Sequence, residues 1–407
     1  MTIQTALTGL DSAQTGLNTV SNDLANANST AFKNQTALFE DLYPANSNDV
    51  PGIGAATETI SSDLTQGDFL PTGNPLDAAI QGNGYFVVNS NGTQQYTRDG
   101  SFQLNALGQL RNASGASIQG YAETNGVLNT SLSGLTINTG SVAANPTANL
   151  GVTLSLNSGD AVIPTTTTFS ASDPTTYNET NSITTYDSLG NANHVALYYV
   201  QNPQASSTVP STWTVYAQPQ LANGTAVGTP QTLTTLAFNS NGSLASGSPA
   251  TLNVAWGNGS AASAIAFNFT GTTYGAQDFA VTGLTNDGYA TGNYENTSIG
   301  TDGSVVSTYT NGNTVTAGKL ALANFINPEG LEPISGNIYG ATSTSGTAVV
   351  SLAGAGQAGT LVGGNLEQSN ASTSTLLVSL IQYQQAYQAN TSVLQTEQQD
   401  SQRLVQI

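Results

Sequence analysis

The chain opens on a heptad pattern. Ile3, Leu10, Leu17 and Leu24 share one position of the repeat, and Ala6, Ala13, Val20 and Ala27 fall three residues later. This spacing predicts a helix over residues 2–27 with an apolar a/d seam, whose small d residues admit a partner at close range. Gly9 and Gly16 lie in the same helix. Each costs about 1 kcal/mol relative to alanine, so the helix is expected to stay largely unfolded until something packs on it. The other end of the chain mirrors this pattern. Leu376, Leu380, Tyr383, Tyr387, Asn390 and Leu394 alternate at spacings of four and three, which predicts a helix over 373–405. Its remaining faces are mostly glutamine, and Arg403 in the last turn suits the helix dipole. One reading is two ordinary amphipathic helices packed on a core. The other pairs the two ends of the chain, with Tyr383 and Tyr387 filling the space left by the small residues of the first helix. That pairing leaves Leu7, Leu377, Ile381 and Val393 uncovered. With almost no charge to solvate those faces, further copies of the chain are the natural cover.

The interior alternates Val, Thr, Tyr and Phe with polar residues, which is strand spacing. Strands are expected at 84–88, 101–104, 195–200, 212–217, 264–269, 304–308 and 319–323. Asn91-Gly92, Asn125-Gly126, Asn223-Gly224, Asn241-Gly242, Asp287-Gly288, Asp302-Gly303 and Asn311-Gly312 read as hairpin turns. Their recurrence suggests antiparallel barrels or sandwiches. The fold class is therefore mainly β, with paired terminal α-helices of coiled-coil type and antiparallel barrel or sandwich domains inserted between them. Residues 31–67, polar and carrying Pro44 and Pro51, read as a partly extended linker.

Composition removes most alternatives. The 407 residues hold 24 acids against five bases, a formal charge of −19. The bases are scattered, so no basic patch exists to bind nucleic acid or an anionic membrane surface. Without cysteine and with a single histidine, His194, thiolate chemistry and multi-histidine metal sites are excluded. His194 has no obvious nucleophile beside it and reads as structural. No calcium loop, nucleotide loop or nucleophile elbow is present, and no carboxylate pair is singled out for glycoside hydrolysis. No cofactor and no enzyme activity are expected. The N-terminus lacks the basic start and apolar run of a general secretory signal.

Several segments together resemble one family. Residues 22–33, N-D-L-A-N-A-N-S-T-A-F-K, are similar to the N-terminal signature N-N-I-A-N-x-x-T-x-G-[FY]-K of flagellar rod and hook proteins, matching at Asn22, Asn26, Phe32 and Lys33. Asp23, Leu24 and Ala31 depart from it, and the loss of the glycine at 31 bears on how the chain leaves the helix. Residues 76–88 resemble the family's L-D-x-A-I-x-G-x-G-F-F block, with Gly82, Gly84, Tyr85 and Phe86 in place, and Y-T-R-D-G-S-F follows at 96–102. L-E-Q-S-N at 366–370 and Q-Q-A-Y-Q-A-N at 384–390 resemble the C-terminal signatures, with Gln385 replacing the usual arginine. In the middle, T-Y-D-S-L-G-N at 185–191 and the stretch 318–331 resemble hook-type rather than rod-type members.

The resemblance implies an extracellular structural subunit of the bacterial flagellum. Such subunits polymerise into a curved hollow tube that joins motor rod to filament as a universal joint and transmits torque. Its partners would be other copies of itself, the rod and hook–filament junction proteins, the hook cap during assembly and the flagellar type III export apparatus. Residues 1–30 with 372–407 would form the inner helical tube and 31–67 a linker. Residues 68–141 with 288–371 would form an inner β domain, and 142–287 an outer one. The polymer interface is expected on Ile3, Leu10, Leu17, Leu24, Leu376, Leu380, Tyr383, Tyr387 and Leu394. A distal rod protein is the nearest alternative. A secreted β-rich adhesin is a more distant one, and it gives no reason for heptads at both ends.

Overall fold

The heptad segments fold as helices: α1 covers Ile3–Ala25 and α2 covers Thr373–Val405. The computed structural model describes residues 3–43, 52–204 and 211–405; Thr2, Pro44 and Pro51 of the expectations above lie outside them. Between the helices the described chain is almost entirely β, arranged in open sheets, and none of them closes into a barrel. Two compact units result. One holds Met1–Asn138, Asn296–Ser307 and Thr314–Ile407; the other holds Thr139–Glu295 and Thr308–Asn313.

In the first unit, the described parts of residues 31–67 form strands where a linker is expected. They hold an antiparallel hairpin of β1 (Gln35–Leu42) and β2 (Gly54–Ser62), with a register shift between Leu38 and Phe39. Sequence reasoning misses it because no tight turn signal joins the strands. The hairpin exists because α1 packs on it: Ser12 donates to the Ala55 carbonyl at 3.4 Å, and Gly54 lies so close to Thr8 that a side chain there would collide. The rest of the unit is built on a thirteen-stranded sheet. The strand Thr314–Asn324 runs antiparallel to both Ser117–Thr124 and Tyr85–Ser90 within it. Tyr85, Val87, Tyr96, Ala321, Ala323, Phe325 and Tyr339 form one of its buried clusters.

In the second unit two five-stranded sheets share one core. The first is an antiparallel run from Glu179–Tyr186 through Ala192–Gln201, Ser211–Gln220 and Gln231–Phe238 to Leu244–Ser246. The second is mixed. Its strand Asn149–Asn157 pairs parallel with Ser263–Asn268 and Thr273–Gly275, and antiparallel with Ala280–Asn286. Alternate residues point inward, as the two-residue strand period requires. Leu150, Val152, Leu154 and Leu156 from one sheet share a core with Val195, Leu197, Tyr199, Trp213 and Val215 from the other.

The turn signals divide by physics. Asn91-Gly92 and Asn125-Gly126 have φ of 53° and 88°, and of 53° and 78°, and each closes a two-residue hairpin. Both turn residues then need the left-handed region, which Asn tolerates and Gly enters freely. At 224, 242, 303 and 312 only the glycine has positive φ. Asp287-Gly288 is not a hairpin turn: its carboxylate accepts from the backbone N–H groups of Ala148 and Asn149, tying two distant segments together. His194 sits in the strand Ala192–Gln201, with Thr184 Oγ1 3.5 Å from its ring.

Candidate assembly face and the buried latch beside it

The helix pair is organised by small residues facing large ones. The buried stripe of α1 runs through Ala6, Ala13, Gly16, Val20 and Asp23, with Gly9 half-buried on the same line. The d line expected from the heptads is therefore in place, but its neighbour is the glycine line rather than the leucine line. A side chain on Gly16 would run into the Tyr383 ring, and one on Gly9 would meet Asn390 Nδ2 at 2.9 Å. The glycines that weaken α1 as an isolated helix thus let α2 lie close against it. Tyr383 also meets Phe39 of β1 edge-on, with ring centroids 6.5 Å apart.

The leucine line is only partly covered. Leu10, Leu17 and Leu24 are half-buried and Ile3 is exposed. On α2, Leu376 is buried, Leu380, Tyr383 and Leu394 are half-buried, and Tyr387 stays exposed. Tyr387 joins Leu7, Thr8, Leu10, Asp11 and Gln14 around an apolar cleft of about 520 Å³. Leu7, Leu377 and Ile381, expected to be uncovered, are 53%, 49% and 51% exposed. Val393 is half-buried instead. Val378, which periodicity did not single out, is exposed beside Leu377.

The quoted motifs converge on a second feature, a buried latch. Lys33 Nζ lies 2.7 Å from Glu367 Oε1, and Arg98 Nε lies 2.8 Å from Glu367 Oε2. Lys33 also donates to the Thr65 carbonyl at 2.7 Å, and the Gly67 N–H donates to Glu367 Oε1. The other Arg98 nitrogens donate to the carbonyls of Gly84 and Gly82 at 3.0 Å each. Gly82 and Gly84 present those carbonyls from φ of 99° and 127°, where an L side chain is strained. Tyr85 lies under the guanidinium at 5.9 Å, and Phe86 packs on Phe102 at 4.9 Å. Burial pushes the Glu367 carboxyl up, but Arg98 and Lys33 outweigh it and hold the group below the usual glutamate value. Lys33 is held below the usual lysine value by its own burial, only partly offset by Glu367.

Around the latch, residues from both chain ends tie the helix exits together. Asn370 Oδ1 accepts from the Asn34 N–H at 2.7 Å, and Asn370 Nδ2 donates to the Asp63 carbonyl. Ala31, where the family signature has glycine, is fully buried at φ 57° and donates its N–H to the Glu367 carbonyl. Buried Phe32 accepts from the Asn370 N–H through its carbonyl, and Asn26 Nδ2 donates to the Asn22 carbonyl at 3.0 Å, closing the last turn of α1. Sequence reasoning quoted Arg98 and Glu367 inside motifs without singling them out. The available signal is the rarity of charge: two of only five bases sit inside family blocks.

In the second unit the T-Y-D-S-L-G-N segment is likewise architectural. Asp187 is buried and also accepts from the Asn193 amide; side-chain amides of Asn191 and Asn258 and the N–H groups of Asn191 and Leu189 outweigh that burial and lower its pKa to about 2. Among the described residues no group of three acidic or histidine side chains is placed to hold a metal ion, and no helix is long and apolar enough to cross a membrane.

Comparison with known proteins gives the same family along the whole chain. The family model described as the flagellar hook protein FlgE/F/G D1 domain matches residues 79–166, and the flagellar basal body protein FlaE D2 domain matches 155–289. The flagellar basal body rod FlgEFG protein C-terminal model matches 362–407. The flagellar hook protein FlgE of Escherichia coli K12 is 36% identical over 430 aligned positions, covering 100% of both chains. That of Rhizobium meliloti is 32% identical, covering 97% of this chain and 96% of its own. The crystal structure of the Helicobacter pylori flagellar hook protein FlgE2 shares the fold, with a TM-score of 0.56 at 15% identity over 74% of this chain and 99% of that one. The chain, with its glycine-seated helix pair and its motif-built latch, belongs to the flagellar hook protein family.

Proposed function

We propose that this structural, non-enzymatic hook subunit assembles through its terminal helices. The polymer is a curved hollow tube outside the cell that couples motor rod to filament as a universal joint. One observation carries the reading: the pairing of α1 and α2 leaves Ile3 and Leu7 on α1 and Leu377, Val378 and Ile381 on α2 exposed, and Leu7 lines an apolar cleft with Tyr387. Neighbouring copies cover it, through Ile3, Leu10, Leu17 and Leu24 on α1 and through Leu376, Leu380, Tyr383, Tyr387 and Leu394 on α2, in a coiled-coil-like wall. Covering about 100 Å² of apolar surface at each of several side chains contributes roughly 2–3 kcal/mol apiece. Repeated along a tube, that is enough to hold a polymer.

The division of the chain follows from this. Residues 1–30 and 372–407 make the firm contacts, and the paired strands β1 and β2 within 31–67 brace α1. Residues 68–141 with 288–371 form one β domain, and 142–287 form a sandwich whose Thr, Ser, Asn and Gly surface makes exchangeable polar contacts as the tube bends. The latch at Glu367 carries load from the helices into the sheet. The partners are further copies of the chain, the rod and the hook–filament junction proteins at the two ends, the hook cap during growth, and the type III export apparatus that delivers the subunit. A distal rod protein, the alternative, would build straight rigid tubes; full-length likeness to hook proteins favours the hook.

Placing a charge on an exposed apolar residue of either helix tests the reading. Leu7→Asp and Ile381→Asp should each abolish tube formation in sedimentation assays while leaving the β signal in circular dichroism unchanged. Tubes from both variants would show that assembly does not use this face.

A further inference from the structure

The buried stripe of α1 ends on a carboxylate. Asp23 is fully buried in the last turn of the helix, at the position where the family signature has its second Asn. One oxygen, Oδ2, accepts from the Gln35 N–H at the start of β1 at 2.9 Å; the other, Oδ1, is buried with no hydrogen-bond partner. This is the junction where the helix hands over to the hairpin.

The surroundings offer the ionised form little. The C-terminal end of a helix carries partial negative charge, which disfavours a carboxylate there, and the last turn of α1 holds no basic residue. α2 has no charged residue before Glu397. The hairpin elements carry only acids, Glu40 and Asp41 on β1, Glu58 on β2, and Asp63 just after it. Lys33, the base nearest in sequence, is engaged by Glu367 and the Thr65 carbonyl. A buried charge without a partner is costly, whereas the neutral acid keeps the Gln35 hydrogen bond and sheds the charge.

We propose that Asp23 is a proton-linked latch between α1 and the β1–β2 hairpin, closed when the carboxyl is protonated and loosened when it ionises. Burial pushes the group up to about 6, against an ordinary 3.8, and the Gln35 N–H offsets this only in part. The folded value lies above the unfolded one. The stabilisation is therefore complete below about pH 4 and is lost as pH rises through about 6. A subunit passing between mildly acidic and neutral surroundings would change how firmly its helix is seated.

The test is hydrogen–deuterium exchange of the peptide spanning residues 20–36 in the full-length protein at pH 4.5 and 7.5, corrected for intrinsic exchange rates. In the unaltered protein, protection should fall by roughly 10- to 100-fold between the two conditions. Asp23→Asn, which keeps the shape and the acceptor, should hold its protection constant within about twofold. Carboxyl NMR of the unaltered chain provides the second readout, with Asp23 expected to titrate near 6. Equal pH dependence in both proteins, no protection at either pH, or a midpoint near 4 would each overturn the proposal, whether or not tubes form.

Discussion

Glu367 shows how a chain with few charges uses them. Its carboxylate is completely buried, yet it is met by Lys33 from just after α1 and by Arg98 from the sheet, so three segments far apart in sequence meet on one group. Removing one partner of such a set is worse than never having built it, because the remaining charges stay buried without compensation. Glu367→Gln should therefore destabilise the first unit by about 3–5 kcal/mol, measured by urea unfolding at pH 7. The sign of the pH dependence follows from its lowered carboxyl. The contribution is present above the ordinary glutamate value of 4.5 and is lost as pH falls through the lower folded value, so the deficit of the variant should shrink on acidification. A deficit independent of pH would mean that packing, not charge, sets the cost. Asp23, with its raised carboxyl, runs the opposite way.

At the scale of elements, α1 and α2 were legible because periodicity reports the helix directly, and their extents agree with the expected ones to within two residues. The identity of the packing stripe was less legible. The heptad pattern weights apolar size and points to Ile3, Leu10, Leu17 and Leu24, whereas the chain buries the line where size is absent, at Gly9 and Gly16. Absence of a side chain becomes informative only when the side chain that fills the gap, Tyr383, is known. Gly16→Ala separates the two roles of the glycine. It should raise intrinsic helix propensity by about 1 kcal/mol, yet push α2 away through Tyr383 and weaken the helix pair. Unfolding of the pair followed by circular dichroism should show a loss in the single variant, relieved by adding Tyr383→Ala. A gain in the single variant would show that the contact yields easily. The β1–β2 hairpin looks like a linker in sequence for a related reason. Its strands pack on α1, a tertiary effect that leaves little trace in local composition.

For the whole molecule, composition leaves no thiolate, multi-histidine or basic-patch chemistry, and motif resemblance points to the flagellar family. What resemblance did not supply is the meeting of its separate blocks. The signatures at 22–33, 76–88, 96–102 and 366–370 are scattered along the chain and come together at one latch beside the helix pair. That arrangement ties the two ends of the chain to each other within the first unit. The central claim is that these two ends alone drive assembly. Electron microscopy of the full-length protein beside a form lacking residues 1–30 and 372–407 tests it most directly. Tubes from the full chain and soluble, folded β units from the trimmed one are the predicted result. Tubes from the trimmed form, or a full-length protein that stays monomeric at high concentration with its helices already folded, would contradict it.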